Sequence, residues 1–168
     1  PKLKLVLNER NCGFASGNNL GVRYVNTSSK FIAFISNDVE VEPEWLYELT
    51  KVACLDPDIG AVQPKVLLMG SRRLIDSTGH FLDYLGYTYQ RGEDEIDKGQ
   101  YDDYRLSDIF YAYGAAFMIP MKVLNQTMTS GFLFDPDYFY YHEDADLCWR
   151  IRLLGYKILY APKSVVYH

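Results

Sequence analysis

Two short acidic runs carry the residue types that handle cations and protons. Asn37-Asp38-Val39-Glu40 follows one apolar stretch, and Glu143-Asp144-Ala145-Asp146 precedes another. Carboxylates spaced i, i+2 at a strand end can face one hard cation, and oxygen donors suit magnesium or manganese. The same run is also what a solvated acidic turn looks like. In the second run three carboxylates within four residues repel one another, which can raise one pKa towards that of a general base. A helix dipole at the same place favours negative charge and pulls the other way. On a helix, Glu143, Asp146 and Arg150 fall at i, i+3 and i+7, and Asp146 and Arg150 are spaced for a structural ion pair. His168 adds an imidazole, a common metal ligand.

A third run, Asn11-Cys12-Gly13-Phe14-Ala15-Ser16-Gly17-Asn18-Asn19, is a Gly-containing loop that leads into a helix. Backbone N–H groups at such a place can bind phosphate or hydroxyls. Its spacing matches neither the P-loop nor the dinucleotide fingerprint, and a plain turn with an N-cap is the alternative. Asp135-Pro136-Asp137 leads into the aromatics Tyr138 to Tyr141, which read as packed rings and could also floor a sugar site. His80 and His142 read as surface or packing residues.

The elements that must hold these groups follow from hydrophobic periodicity. Residues 3–7 and 31–35 read as short buried strands, and residues 59–62 as a third. Residues 17–25 read as a helix with Ser16 as N-cap, and residues 44–55 as a helix with Pro43 in its first turn. Strand, helix, strand, helix, strand implies an open α/β sheet. The acidic run at Asp38 then lies past the end of a strand, where such sheets place ligands. Residues 70–108 are polar and acidic and read as a long functional loop or lid. Beyond them come one or two strands in 109–119, a short helix over 121–126, and an amphipathic helix over 143–154 with Leu147, Ile151 and Leu154 on one face. Two short strands, 156–160 and 165–167, close the chain.

Composition narrows the function classes. The chain has 168 residues, enough for one domain with a sizeable core. Its formal net charge of −5 excludes a nucleic-acid reader with a basic footprint. Cys12, Cys54 and Cys148 are odd in number and show no CxxC spacing, so neither a disulfide scaffold nor a zinc site is expected. No apolar run reaches the roughly 18 residues of a membrane span. Fifteen tyrosines supply flat apolar faces with one hydroxyl each, suited to packing and to sugar contact.

The order of the runs is more specific than any one of them. The series "NCGFASGNNLG", "FISNDVEVEPEWL", "IGAVQPKV", "IDSTGHFLDYLG", "YGAAFMIPMKVL" and "GFLFDPDYFYYHEDADLCWRIRLLGYKILYAPKSVVYH" resembles family 2 glycosyltransferases, in particular the rhamnosyltransferase-like branch that builds surface polysaccharides. The resemblance covers nearly the whole chain. It implies an α/β, Rossmann-like GT-A fold, with a mostly parallel central sheet flanked by helices and residues 1–168 forming a single domain. The family's first strand and nucleotide-contacting residues are expected before Pro1, so the domain reads as N-terminally incomplete.

The resemblance also implies roles. Asp38 and Glu40 match the metal-holding DxD-type motif, with Glu in the second place, and His168 matches a histidine that completes a magnesium or manganese site. Asp144 matches the catalytic base. Asn18, Asn19, Asn37, Asp38, Gly114 and Ala115 fall to the donor side, and Glu143, Asp146 and Arg150 to the acceptor side. The expected partners are a nucleotide-diphosphate sugar and a glycan or lipid-linked acceptor. The expected reaction is inverting transfer in cell-envelope synthesis, by a cytoplasmic protein with peripheral contact at the inner face of the membrane. The competing readings are a non-catalytic carbohydrate or nucleotide-sugar binding module and a metal-dependent phosphoesterase.

Overall fold

The computed structural model describes residues 3–168. Strands β1 (Phe31–Ile35), β2 (Glu40–Val41), β3 (Ile59–Leu68), β4 (Ser71–Ser77), β7 (Ala116–Pro120) and β8 (Lys157–Tyr167) form one sheet, and β5 (His80–Leu82) and β6 (Thr88–Gln90) form a separate hairpin. The sheet order is β1-β7-β3-β8-β2, with β4 paired to β3 off this path. Strands β3 and β8 run parallel, and β1 shares their direction because both β1 and β3 pair antiparallel with β7. The co-directed set expected of an α/β sheet is present. It is interleaved with reversed strands, since β7 slots between β1 and β3, and β2 runs against β8.

Successive side chains of the inner strands go to opposite faces. Phe117, Ile119, Ile158 and Tyr160 pack on one side with helices α1 (Gly13–Val22), α3 (Met121–Thr127) and α4 (Glu143–Leu153). Val62, Met118 and Ala161 pack on the other with Leu49 and Ala53 of α2 (Trp45–Ala53). Phe34 of β1 stacks on Phe117 with ring centroids 4.9 Å apart and meets Phe134 edge-on at 5.4 Å. Helix α4 can lie close against β3 because Gly60 faces it: a Cβ there would stand 2.4 Å from Ile151 Cγ2.

Several elements depart from the sequence expectation. Residues 3–7 form no regular element, with Leu3, Leu5 and Leu7 exposed, and no strand among the described residues pairs with them. Helix α1 begins four residues early. The Phe14 N–H donates to the Phe139 carbonyl at 3.1 Å, Gly13 sits at φ +80°, and Asn11 Oδ1 accepts from the Gly13 N–H. Ser16 is therefore inside the helix and caps nothing. Leu154 lies just past α4 and is about half exposed, while Leu147 and Ile151 are fully buried. The two short C-terminal strands are one, β8, with a register shift opposite Pro64 and Lys65.

The largest difference is in residues 70–108. They hold β4, β5, β6 and a 3₁₀ turn at Tyr104–Leu106. The segment is rich in acidic residues. Lys65, buried in β3, draws two of them inward, with Asp97 at 3.0 Å and Asp102 at 2.8 Å from its Nζ. A buried ammonium must be paired, and this pairing staples the segment to the sheet.

Candidate active site

The carboxyl end of β1, the loop before β7, the start of α4 and the end of β8 meet around a cavity of about 310 Å³. Asp38, Asp144 and His168 all line it, as do Glu143, Gly114 and Ala115. Three segments far apart in sequence thus converge, as the acidic runs and the terminal histidine required.

His168 is held from two sides. Its Nδ1 lies 2.9 Å from Asp76 Oδ2, and its Nε2 points towards Asp38 Oδ2 at 3.8 Å. The Asp76 hydrogen bond raises the imidazole pKa above its ordinary value, against the opposing effect of burial. Tyr113 meets the same ring edge-on, with centroids 5.4 Å apart. Asp76 was not among the residues picked out from the sequence. The signal was present in "IDSTGH", where an acid stands beside small and polar residues. Only the pairing of β4 with β3 brings it next to the chain's last residue.

Asp144 is fixed by backbone donors. Its Oδ2 accepts from the Gly114 N–H at 2.8 Å and its Oδ1 from the Ala145 N–H at 2.7 Å. Burial raises its pKa, while those two N–H bonds pull it back down. Glu143 is buried, its Oε2 has no hydrogen-bond partner, and burial pushes its pKa up. The backbone entering α4 is strained: Tyr141 and His142 both take left-handed conformations, at φ 73° and 70°. Each such residue costs about 1–2 kcal/mol outside glycine, and strain of this kind gathers at functional sites. Both line the cavity.

His80 and the tyrosines also belong to the site. His80 is buried, with its pKa lowered to about 4 by desolvation, so its ring is neutral at physiological pH. It packs between Tyr111 and Tyr113, at centroid distances of 4.7 and 4.8 Å. Buried Gln63 orders this wall, donating to Ser77 Oγ and accepting from the Tyr113 N–H at 2.8 Å.

Other expected site residues lie elsewhere. Glu40 is in β2 opposite Tyr167, and its carboxylate takes Arg72 at 2.7 Å, away from the cavity. The strand-end pair that faces the cavity is Ser36 and Asp38. Asn37 is exposed and does not line it. Asn18 donates to the Phe14 carbonyl within α1. Asn19 is buried and serves the fold: its Nδ2 donates to the Phe134 carbonyl, and its Oδ1 accepts from the Leu133 and Phe134 N–H groups. Asp146 pairs with Arg150 at 2.9 Å, and Arg150 also donates to the Thr127 and Leu133 carbonyls.

Among the described residues no group of three or more His, Cys, Asp and Glu side chains is arranged to hold a metal. Two donors do fit one. Asp38 offers a hard oxygen, and His168 offers Nε2 while its other nitrogen is bonded to a carboxylate, the usual outer support of a metal-ligating histidine. Magnesium and manganese commonly use one or two protein carboxylates and complete their shell with water and substrate phosphate.

A family model for "Glycosyltransferase like family 2" matches residues 1–168. The chain belongs to that glycosyltransferase family. Curated proteins similar to this chain include the pre-mycofactocin glycosyltransferases of two strains of Mycobacterium tuberculosis. Each is 27% identical over 164 residues, covering 93% of this chain and 30% of the relative. The chain thus spans about a third of the length of those proteins. The fold is similar to that of GalNAc-T7, whose crystal structure contains UDP, GalNAc and Mn2+. The TM-score is 0.72 at 17% identity, over 98% of this chain and 31% of that one. This likeness identifies the α/β architecture as GT-A.

Proposed function

We propose that this glycosyltransferase domain moves a sugar from a nucleotide-diphosphate donor to a hydroxyl of a glycan or lipid-linked acceptor, with inversion, in cell-envelope or surface polysaccharide synthesis. The supporting observation is the cavity in which Asp38 and His168 face each other while Asp144, locked by the Gly114 N–H, lines the same space. Asp144 accepts the proton of the acceptor hydroxyl as its oxygen attacks the anomeric carbon. The bond from that carbon to the diphosphate breaks in the same displacement. Asp38 and His168 would hold magnesium or manganese, which supplies charge neutralisation for the diphosphate. The Mn2+ and UDP in the GalNAc-T7 structure support a metal and a nucleotide here.

The tyrosines and neutral His80 position the transferred sugar and keep water from the reacting carbon. Residues 1–168 act as one domain in this reading. The acceptor is met at the cytoplasmic face of a membrane through peripheral contact. No helix among the described residues is long and apolar enough to cross one.

A second reading, a non-catalytic donor-binding module, draws on Glu40 having turned away to Arg72. Full-length protein incubated with nucleotide sugars, Mn2+ and a set of glycan and lipid-linked acceptors separates the readings. Release of nucleoside diphosphate that depends on acceptor supports transfer. Saturable donor binding without product under every acceptor supports the module. Hydrolysis of phosphate esters without acceptor supports a phosphoesterase.

A further inference from the structure

The cavity that holds Asp144 borders a second cleft. Thr88 on β6 and His142 at the entry to α4 line both, and the second space measures about 560 Å³. That falls within the roughly 300–1,000 Å³ of clefts that bind molecules of drug size. Three aromatic side chains from different elements line it: Tyr87 from the β5–β6 hairpin, Tyr138 from the loop before α4, and Trp149 from α4 itself. Tyr87 is 70% and Trp149 50% exposed, so their rings are available to a ligand.

These rings are preorganised. Trp149 is braced edge-on by Phe110, with centroids 5.5 Å apart and planes at 89°. The hairpin turn that carries Tyr87 is tied by Asp83, whose Oδ1 accepts from the Leu85 N–H at 2.8 Å and the Tyr87 N–H at 2.9 Å. The Asp83 N–H in turn donates to the Tyr87 carbonyl. Rigid aromatic rings give contact area at small entropic cost.

Charge narrows the ligand. Among the described residues no lysine or arginine lines the cleft, and the one carboxylate there, Asp146, is already paired with Arg150. An anionic ligand would lose its hydration and gain no cation in return. Leu82 and Ala145 are the only aliphatic side chains among the described residues lining it, too few for an acyl chain. What fits is an uncharged chain with apolar C–H faces to lie on aromatic rings and hydroxyls to meet Thr88, His142 and the tyrosine hydroxyls. We infer that this cleft is a subsite for the neutral sugar units of an acceptor oligosaccharide, those behind the hydroxyl that faces Asp144. The inference rests on the transferase reading and goes beyond it by naming a neutral, multi-sugar acceptor and the rings that hold it.

The test is binding of full-length protein to an array of neutral glycans of one to six sugars, anionic glycans and acyl lipids. Wild-type protein and the variants Trp149→Ala, Tyr87→Ala and Trp149→Phe are compared, each checked for folding by circular dichroism. Wild type is expected to prefer neutral chains of two or more sugars. Trp149→Ala and Tyr87→Ala are each expected to weaken that binding by roughly tenfold or more, the loss of one buried aromatic anchor. Trp149→Phe keeps a ring and should retain most of the affinity. Equal binding by wild type and both alanine variants overturns the inference, as does a wild type that binds only anionic glycans, only lipids, or nothing on the array. Failure of the transferase reading looks different: no donor yields nucleoside diphosphate, while neutral-glycan binding that depends on Trp149 persists.

Discussion

Replacing Gly114 with alanine tests how Asp144 is held. The Gly114 N–H donates to Asp144 Oδ2 at 2.8 Å. A Cβ built on Gly114 would stand 3.2 Å from that same oxygen and 3.5 Å from Phe14 Cζ. Gly114 is not in a positive-φ conformation, so the backbone accepts alanine. The new methyl is closer to the carboxylate than ordinary contact allows, and the carboxylate must retreat, lengthening its bond to the N–H. A hydrogen bond to a charged group contributes about 1.5–3 kcal/mol. Losing it from a base that must be aimed in the transition state lowers kcat by roughly 10- to 150-fold. The same change weakens one of the three backbone hydrogen bonds that pull the Asp144 pKa down against burial. The base works only when ionised, so the rising limb of the kcat–pH profile, already above the usual aspartate range, is expected to move to still higher pH. The assay is nucleoside diphosphate release at saturating donor and acceptor across pH, with melting temperature as the folding check. A Gly114→Ala protein with wild-type kcat and an unmoved limb would refute the reasoning, because the position of Asp144 would then not matter.

Three further outcomes are expected. Asn19→Ala strips three buried backbone groups of their partners, and at about 1 kcal/mol or more each the domain should lose about 3 kcal/mol, or roughly 6–12 °C in Tm. Calorimetry checks it, and an unchanged Tm with a raised donor KM would return Asn19 to the donor side. Asp76→Asn should weaken Mn2+ binding by roughly 10- to 100-fold in isothermal titration and shift the His168 tautomer seen by nitrogen NMR. Glu40→Gln should leave the Mn2+ dependence of turnover where it is, whereas Asp38→Asn should shift it by about tenfold or more. Equal effects from the two would restore Glu40 as a ligand.

Much of the fold could be read from periodicity, and the exceptions have physical causes. Phe31–Ile35 alternates inward and outward as an ordinary strand does, and its bounds match the expectation. Helix α4 was legible because Leu147 and Ile151 recur at helical spacing and acidic residues crowd its first turn. The start of α1 was not, because a long-range bond to Phe139 sets it. The strands and ion pairs inside residues 70–108 were not legible, because sequence shows the charges of Asp97 and Asp102 and hides the buried Lys65 that pairs with them.

The site divides the same way. Asp38, Asp144 and His168, singled out for distinctive chemistry in segments that keep a family order, line one cavity. Glu40 was grouped with Asp38 on i, i+2 spacing, but pairing of β2 with β8 sends its side chain to Arg72. Asn19 has the donors and acceptors of a ligand contact and spends them on the backbone of Leu133 and Phe134. Asp76 and the aromatic cleft depend on tertiary pairing that no local pattern reveals.

The most direct test of the central claim is glycosyl transfer by the full-length Asp144→Asn protein, measured alongside its donor binding and Tm. The arrangement around Gly114 requires that kcat fall by about 10³-fold or more while donor affinity and Tm stay near wild type. An Asp144→Asn enzyme that transfers sugar at the wild-type rate would contradict the account.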